Sequence, residues 1–111
     1  MKDDRLYLHH IVERCRRIER FIAPGKDSFM AAEELQDAVI RNIEVIGEAA
    51  KRVSAESRAR MPELEWKRIC GVRDVLAHDY IGVDLEEVWN VAVTRIPELQ
   101  LAVESFFSRE T

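Results

Sequence analysis

From Leu35 to Val53 the apolar residues Leu35, Val39, Ile43, Ile46, Ala50 and Val53 recur at steps of three and four. On a helix of about 3.6 residues per turn that rhythm lays them in one continuous stripe, and a stripe of this length must be covered by other helices. No segment alternates with the two-residue period of a strand, so no sheet is on offer to cover it.

The rest of the chain supplies the covering helices. Leu8, Ile11, Cys15, Ile18 and Ile22 predict a first helix over 4–22. "APGKDS" breaks it, and Asp27 or Ser28 is suited to cap the long second helix. Within that helix Gly47 offers a neighbouring backbone a place to approach closely. Ser54 is a cap for a short turn that Pro62 ends, and "ELEWKRICGVRDVLAH" reads as a third substantial helix starting near Trp66. Asp84 then caps the last helix, with Glu87 at the capping-box position and Leu85, Val88, Trp89, Ala92, Ile96, Leu99, Val103 and Phe106 on its apolar face. Pro97 falls inside this pattern and predicts a kink near Val93 or a break into two segments. The expected fold is all-α, an antiparallel bundle of four main helices plus a short fifth, forming a single domain over 1–111. Trp66 and Trp89 are expected as core or interface anchors.

Composition narrows the class. With 47% apolar and 34% charged residues, 4 glycines and 3 prolines, the chain reads as a soluble globular protein. Acids in "MKDDRLYLHH" stand where a secretory signal would be apolar, which points to the cytoplasm and away from a membrane. Cys15 and Cys70 are far apart and are expected as reduced thiols packed in helices. His9 and His10 are adjacent, point in different directions and have no third ligand at helical spacing, so no metal site is expected there. A net charge of −4 opposes a global attraction for polyanions. Between Lys51 and Arg73, however, seven basic residues (Lys51, Arg52, Arg58, Arg60, Lys67, Arg68, Arg73) face three acids (Glu56, Glu63, Glu65), and a polyanion would have to be held there.

Chemistry concentrates in "GVRDVLAHDY", residues 71–80. At about 100° per residue, with Arg73 at zero, Asp74 falls near 100°, His78 near 140° and Tyr80 near −20°, one broad polar arc opposite Ile69, Val72, Val75 and Leu76. The other members of the arc, Cys70, Gly71 and Ala77, are small and admit close approach. Asp74 and His78 stand four apart, the spacing at which a carboxylate accepts from an imidazole and sets its tautomer. An arginine holding a phosphodiester and a histidine handling the proton make a minimal set for metal-independent RNA cleavage. Arg73 and His78 are about 140° apart on an ideal helix, and a two-fold dimer would pool two of each across a cleft. The same arc read by periodicity alone is an ordinary solvated or interface face.

"RDVLAHDY", with its Arg-x4-His-x-Tyr form, together with "AVIRNIEVIGEAAKRVS", "WKRICGVRD" and "YIGVDLEEVW", resembles the HepT-like proteins of the HEPN superfamily, from the first helix through "IPEL". The resemblance implies a homodimeric helical-bundle ribonuclease, the toxin of a type VII toxin–antitoxin pair, whose partner is an MntA-like minimal nucleotidyltransferase antitoxin. It implies that Arg73 and His78 act on RNA, that Asp74 supports them, and that Tyr80 receives AMP from the antitoxin; it implies no cofactor. Glu48, in "IGEAAKR", is a possible cleft residue, while Arg41 and Arg52 are ordinary unless the bundle turns them inward. Two alternatives stand beside this reading: a non-catalytic helical module that docks with a minimal nucleotidyltransferase, and a plain dimerisation bundle.

Overall fold

A computed structural model describes residues 2–72 and 84–110, which are helical with short connections and contain no strand among the described residues. Helix α1 (Lys2–Ile22) lies between α3 (Glu33–Lys51) and α7 (Ile96–Glu110). Contacts between Asp4 and Ser54 and between Arg14 and Asn42 show α1 and α3 to be antiparallel. Contacts of Arg5 and His9 with Phe107 and of Arg16 with Glu104 show the same for α1 and α7. The expected all-α architecture is therefore observed.

The stripes that demanded covering meet in one core. Leu8, Ile11, Cys15 and Ile18 of α1 are fully buried against Val39, Ile43, Ile46 and Ala50 of α3 and Val88, Ala92, Ile96 and Val103 of the C-terminal helices. Burying each larger aliphatic side chain contributes about 1.5–3 kcal/mol, so this seam dominates the stability. Cys15 sits within it, and burial, followed by the charge of Glu104, pushes its thiol up to about 12. It is an inert packing residue at physiological pH.

The second helix differs from expectation. It is divided at Ala32, whose backbone is extended (φ −117°, ψ 105°), into α2 (Lys26–Ala31) and α3. Its start is capped neither by Asp27 nor by Ser28: Gly25 holds φ 105°, a conformation that favours glycine, and accepts from the Phe29 amide. The division lets Phe29 turn fully into the core beside Trp89, ring centroids 5.5 Å apart. Gln36 repairs the break by donating from Nε2 to the Phe29 and Met30 carbonyls at 2.9 and 3.1 Å.

The Ser54 cap is present. Its hydroxyl accepts from the Ser57 amide and opens α4 (Ala55–Ala59). Asp4 anchors this turn to the start of α1: its carboxylate, 4% exposed, accepts from the Ser54 amide (3.0 Å), the Ser54 hydroxyl and the Ser57 hydroxyl (2.6 Å). Burial pushes this carboxyl up, but the hydrogen bonds from the two serines outweigh it and hold it below its ordinary range.

At the C-terminal end, Pro97 does not interrupt the run of helix; the disturbance expected near Val93 takes the form of a π turn. Helix α6 (Leu85–Asn90) continues through a π turn, Val91–Arg95, into α7. The wider turn takes the Ile96 amide to the Val91 carbonyl, five residues back, and accommodates a proline that has no amide to give. The Thr94 hydroxyl donates to the Asn90 carbonyl, satisfying an acceptor at the same bulge.

Among the described residues, no helix is long and apolar enough to cross a membrane.

Candidate active site

Arg73, Asp74, His78 and Tyr80 lie outside the described residues. What the structure defines is the frame that delivers and receives them. The delivering element is α5 (Trp66–Cys70), which begins near Trp66 as the sequence predicts but ends at Cys70, where Gly71 caps it in place of the continuous helix expected through Gly71; the described residues go on to Val72. The receiving element is α6, where the Asp84 carboxylate accepts from the Glu87 amide at 3.2 Å and fixes the entry into the helix.

Two contacts set α5 against the bundle. On one side it presses on α3 at Gly47. A Cβ built at that position would stand 3.1 Å from Val72 Cγ1, 3.3 Å from the Ile69 carbonyl oxygen and 3.8 Å from that of Cys70. The close approach expected of Gly47 is thus made by the helix that leads into Arg73. On another side, the Trp66 indole is buried and donates from Nε1 to the Met61 carbonyl at 3.2 Å, pinning the start of α5 to the connection from α4. Trp89 is half-buried against the core, beside Phe29.

Between α3, α5 and the C-terminal helices runs a groove of about 200 Å³. Ile43, Ile46, Ile69, Val72, Ile96 and Leu99 contribute its apolar walls, and Arg68, Arg95, Glu65, Glu87 and Glu98 its charged ones.

The local basic excess looks different in three dimensions. Arg68 pairs with Glu65 at 3.1 Å, Lys51 with Glu48 at 3.6 Å, and Arg60 with both Glu110 and Glu56. Arg52 lies 5.9 Å over the Tyr7 ring, and Arg58 turns inward. Much of the positive charge that the sequence offers to a polyanion is engaged within the chain itself. Glu48 is exposed, one residue beyond the Gly47 seat, and Arg41 is exposed on the same helix. His9 stacks on Phe107 with centroids 4.2 Å apart. Among the described residues no group of three or more His, Cys, Asp or Glu side chains is placed to hold a metal ion. Both cysteines are free thiols, Cys15 buried and Cys70 half-buried.

Sequence reasoning missed Asp4 and Arg58. Their partners lie 50 and 53 residues away for Asp4, and 8 and 12 for Arg58, separations that no local spacing rule reaches.

The described frame is that of an all-α bundle protein in which a helix seated on a glycine precedes, and a helix capped by an aspartate follows, the stretch of chain that carries the motif. The family model described as "Ribonuclease HepT-like" matches residues 11–106, and the chain belongs to that family. It is 37% identical to a candidate RNase of Caldanaerobacter subterraneus subsp. tengcongensis over 111 residues, 99% of each chain. It is 42% identical over 89% of its length to a Methanocaldococcus jannaschii protein named as a gamma-glutamylcyclotransferase and candidate RNase, of which the match covers 45%. A candidate ribonuclease HepT of Thermococcus cleftensis is 36% identical over 85% of this chain and 86% of its own. No solved structure matches significantly.

Proposed function

We propose that this chain is a metal-independent endoribonuclease, the toxin of a type VII toxin–antitoxin pair. The observation that carries the reading is a family match that runs from residue 11 to residue 106 and so spans the whole Arg-x4-His-x-Tyr motif. Arg73 would hold the scissile phosphodiester and stabilise charge gathering on phosphorus. His78, oriented by Asp74, would take the proton from the ribose 2′-hydroxyl, whose oxygen attacks phosphorus as the bond to the 5′-oxygen breaks; that oxygen takes a proton from water as it leaves, and His78 later returns its own to solvent. The products are a 2′,3′-cyclic phosphate and a 5′-hydroxyl. A homodimer would pool the two copies of the motif across one cleft.

Tyr80 is proposed as the acceptor of AMP from an MntA-like nucleotidyltransferase, which would set bulk and negative charge beside the catalytic pair. Co-expression with such a partner tests this: the intact mass should rise by one or more AMP units and cleavage should stop, while Tyr80→Phe should keep both its mass and its activity. An unmodified mass in the co-expressed wild type would refute the regulatory role.

A further inference from the structure

We infer that Arg58 is a positioning residue for the segment carrying Arg73 and His78, an inference that rests on the ribonuclease reading above. Arg58 leaves α4 half-buried and does not reach for solvent. Its Nη2 donates to the Ala50 carbonyl at the C-terminal end of α3 (2.9 Å) and lies 3.5 Å from Cys70 Sγ on α5. Its guanidinium carbon stands 5.6 Å over the ring of Trp66, the first residue of α5. One side chain therefore joins the end of α3 to both ends of the short helix that delivers the motif. Cys70 is three residues ahead of Arg73 and four ahead of Asp74 in the chain.

The anchor point of Arg58 is itself held. Its neighbour Ser57 is buried and donates to the Asp4 carboxylate, which also binds Ser54, so α4 is fixed to α1 on one side and reaches α5 on the other. Three residues before the Ala50 carbonyl that Arg58 binds, the Gly47 seat meets the Ile69 carbonyl of α5 and the following Val72. Helix α5 is thus held to the C-terminal stretch of α3 by two contacts, a steric one at Gly47 and a polar one through Arg58 to the Ala50 carbonyl. The Arg58 Nε is buried with no hydrogen-bond partner among the described residues, a cost that an apolar side chain on Trp66 would avoid. What the arginine adds over an apolar residue is directional: a fork that fixes α5 relative to the α3 terminus. Catalytic geometry is sensitive to displacements on the order of 1 Å, which a loosened α5 would allow.

The test compares full-length wild type, Arg58→Met and Arg58→Lys. Methionine keeps apolar contact with Trp66 and removes the fork; lysine keeps the charge and one donor. Cleavage of a fluorescent RNA oligonucleotide is measured for kcat and KM, and hydrogen exchange is followed in peptides covering residues 64–72. Arg58→Met is expected to stay folded at the assay temperature, to lose about tenfold or more in kcat with KM within about twofold, and to exchange faster in those peptides; Arg58→Lys should recover part of the rate. If Arg58→Met melts below the assay temperature, Arg58→Lys takes its place and must show lower kcat at unchanged KM. Unchanged kcat in a folded variant overturns the inference, and so does a rise in KM alone, which would make Arg58 a substrate contact. If wild type itself cleaves no RNA, the ribonuclease reading fails separately, and exchange in residues 64–72 decides the positioning role: faster exchange supports it and unchanged exchange overturns it.

Discussion

Substituting Gly47 probes whether the seat between α3 and α5 governs the motif. In the interior of α3 a glycine costs about 1 kcal/mol relative to alanine, so Gly47→Ala starts with a gain of that size in helix propensity. Against it stands the new Cβ at 3.1 Å from Val72 Cγ1 and 3.3 Å from the Ile69 carbonyl oxygen. The valine methyl can yield by rotation, but the carbonyl belongs to the α5 backbone and yields only if the helix moves. Overpacking of this kind costs about 1–3 kcal/mol, so the two effects nearly cancel and Gly47→Ala should lose between about 0 and 2 kcal/mol. Gly47→Val adds two more methyl groups without alanine's propensity gain and should lose about 3 kcal/mol or more. For a chain of 111 residues, 1 kcal/mol corresponds to about 4 °C in Tm. Because strain is relieved by moving α5, RNA cleavage should fall even where stability changes little, about tenfold in kcat for Gly47→Ala. Differential scanning calorimetry and oligonucleotide cleavage on the same preparations supply both numbers. Wild-type Tm together with wild-type kcat in Gly47→Val would refute the idea that α5 is seated there.

Two further predictions follow from buried groups. The Asp4 carboxyl is held below its ordinary range, so its ionised form contributes stability that is fully present above the usual carboxyl pKa near 3.8 and is lost as pH falls through the lower folded value. Asp4→Asn should therefore destabilise the protein by about 1–3 kcal/mol at neutral pH, with the gap to wild type closing below about pH 4 in denaturant titrations; a gap independent of pH would contradict the assignment. Cys15 is fully buried with its thiol pushed up to about 12, whereas Cys70 is half-buried, so an aromatic disulfide reagent at pH 8 should titrate Cys70 alone until denaturant is added. Rapid reaction of both thiols in the folded state would contradict the burial of Cys15.

Local rules read well where the deciding contacts are local. The Ser54 and Asp84 caps are hydrogen bonds to amides three residues on, and both were legible as spacing. The stripes on α1 and α3 were legible for the same reason, and Gly47 stood out because a glycine inside a long apolar stripe has few purposes other than close approach. The break at Ala32 was not legible: neither glycine nor proline marks it, and it exists because Phe29 is drawn into a core pocket beside Trp89. Pro97 announced a disturbance but not its form: the π turn takes the Ile96 amide to the Val91 carbonyl, and Ile96 and Leu99 lie in the core. The partners of the basic cluster were not legible because the sequence counts charges without their pairings: Glu110 meets Arg60 from 50 residues away. The candidate site rests on the motif and the family resemblance, since its residues lie outside the described ones; the structure contributes the frame before and after it, a glycine seat, an aspartate cap and the Arg58 contacts.

The central claim is that Arg73 and His78 cleave RNA without a metal. The most direct measurement is a time course of a single-stranded RNA with wild type and with His78→Ala side by side in excess EDTA, with the product ends identified by mass. Wild type should yield fragments ending in 2′,3′-cyclic phosphate, and His78→Ala, folded to the same Tm, should yield none. Equal cleavage by both proteins, or cleavage only after a divalent ion is restored, would contradict it.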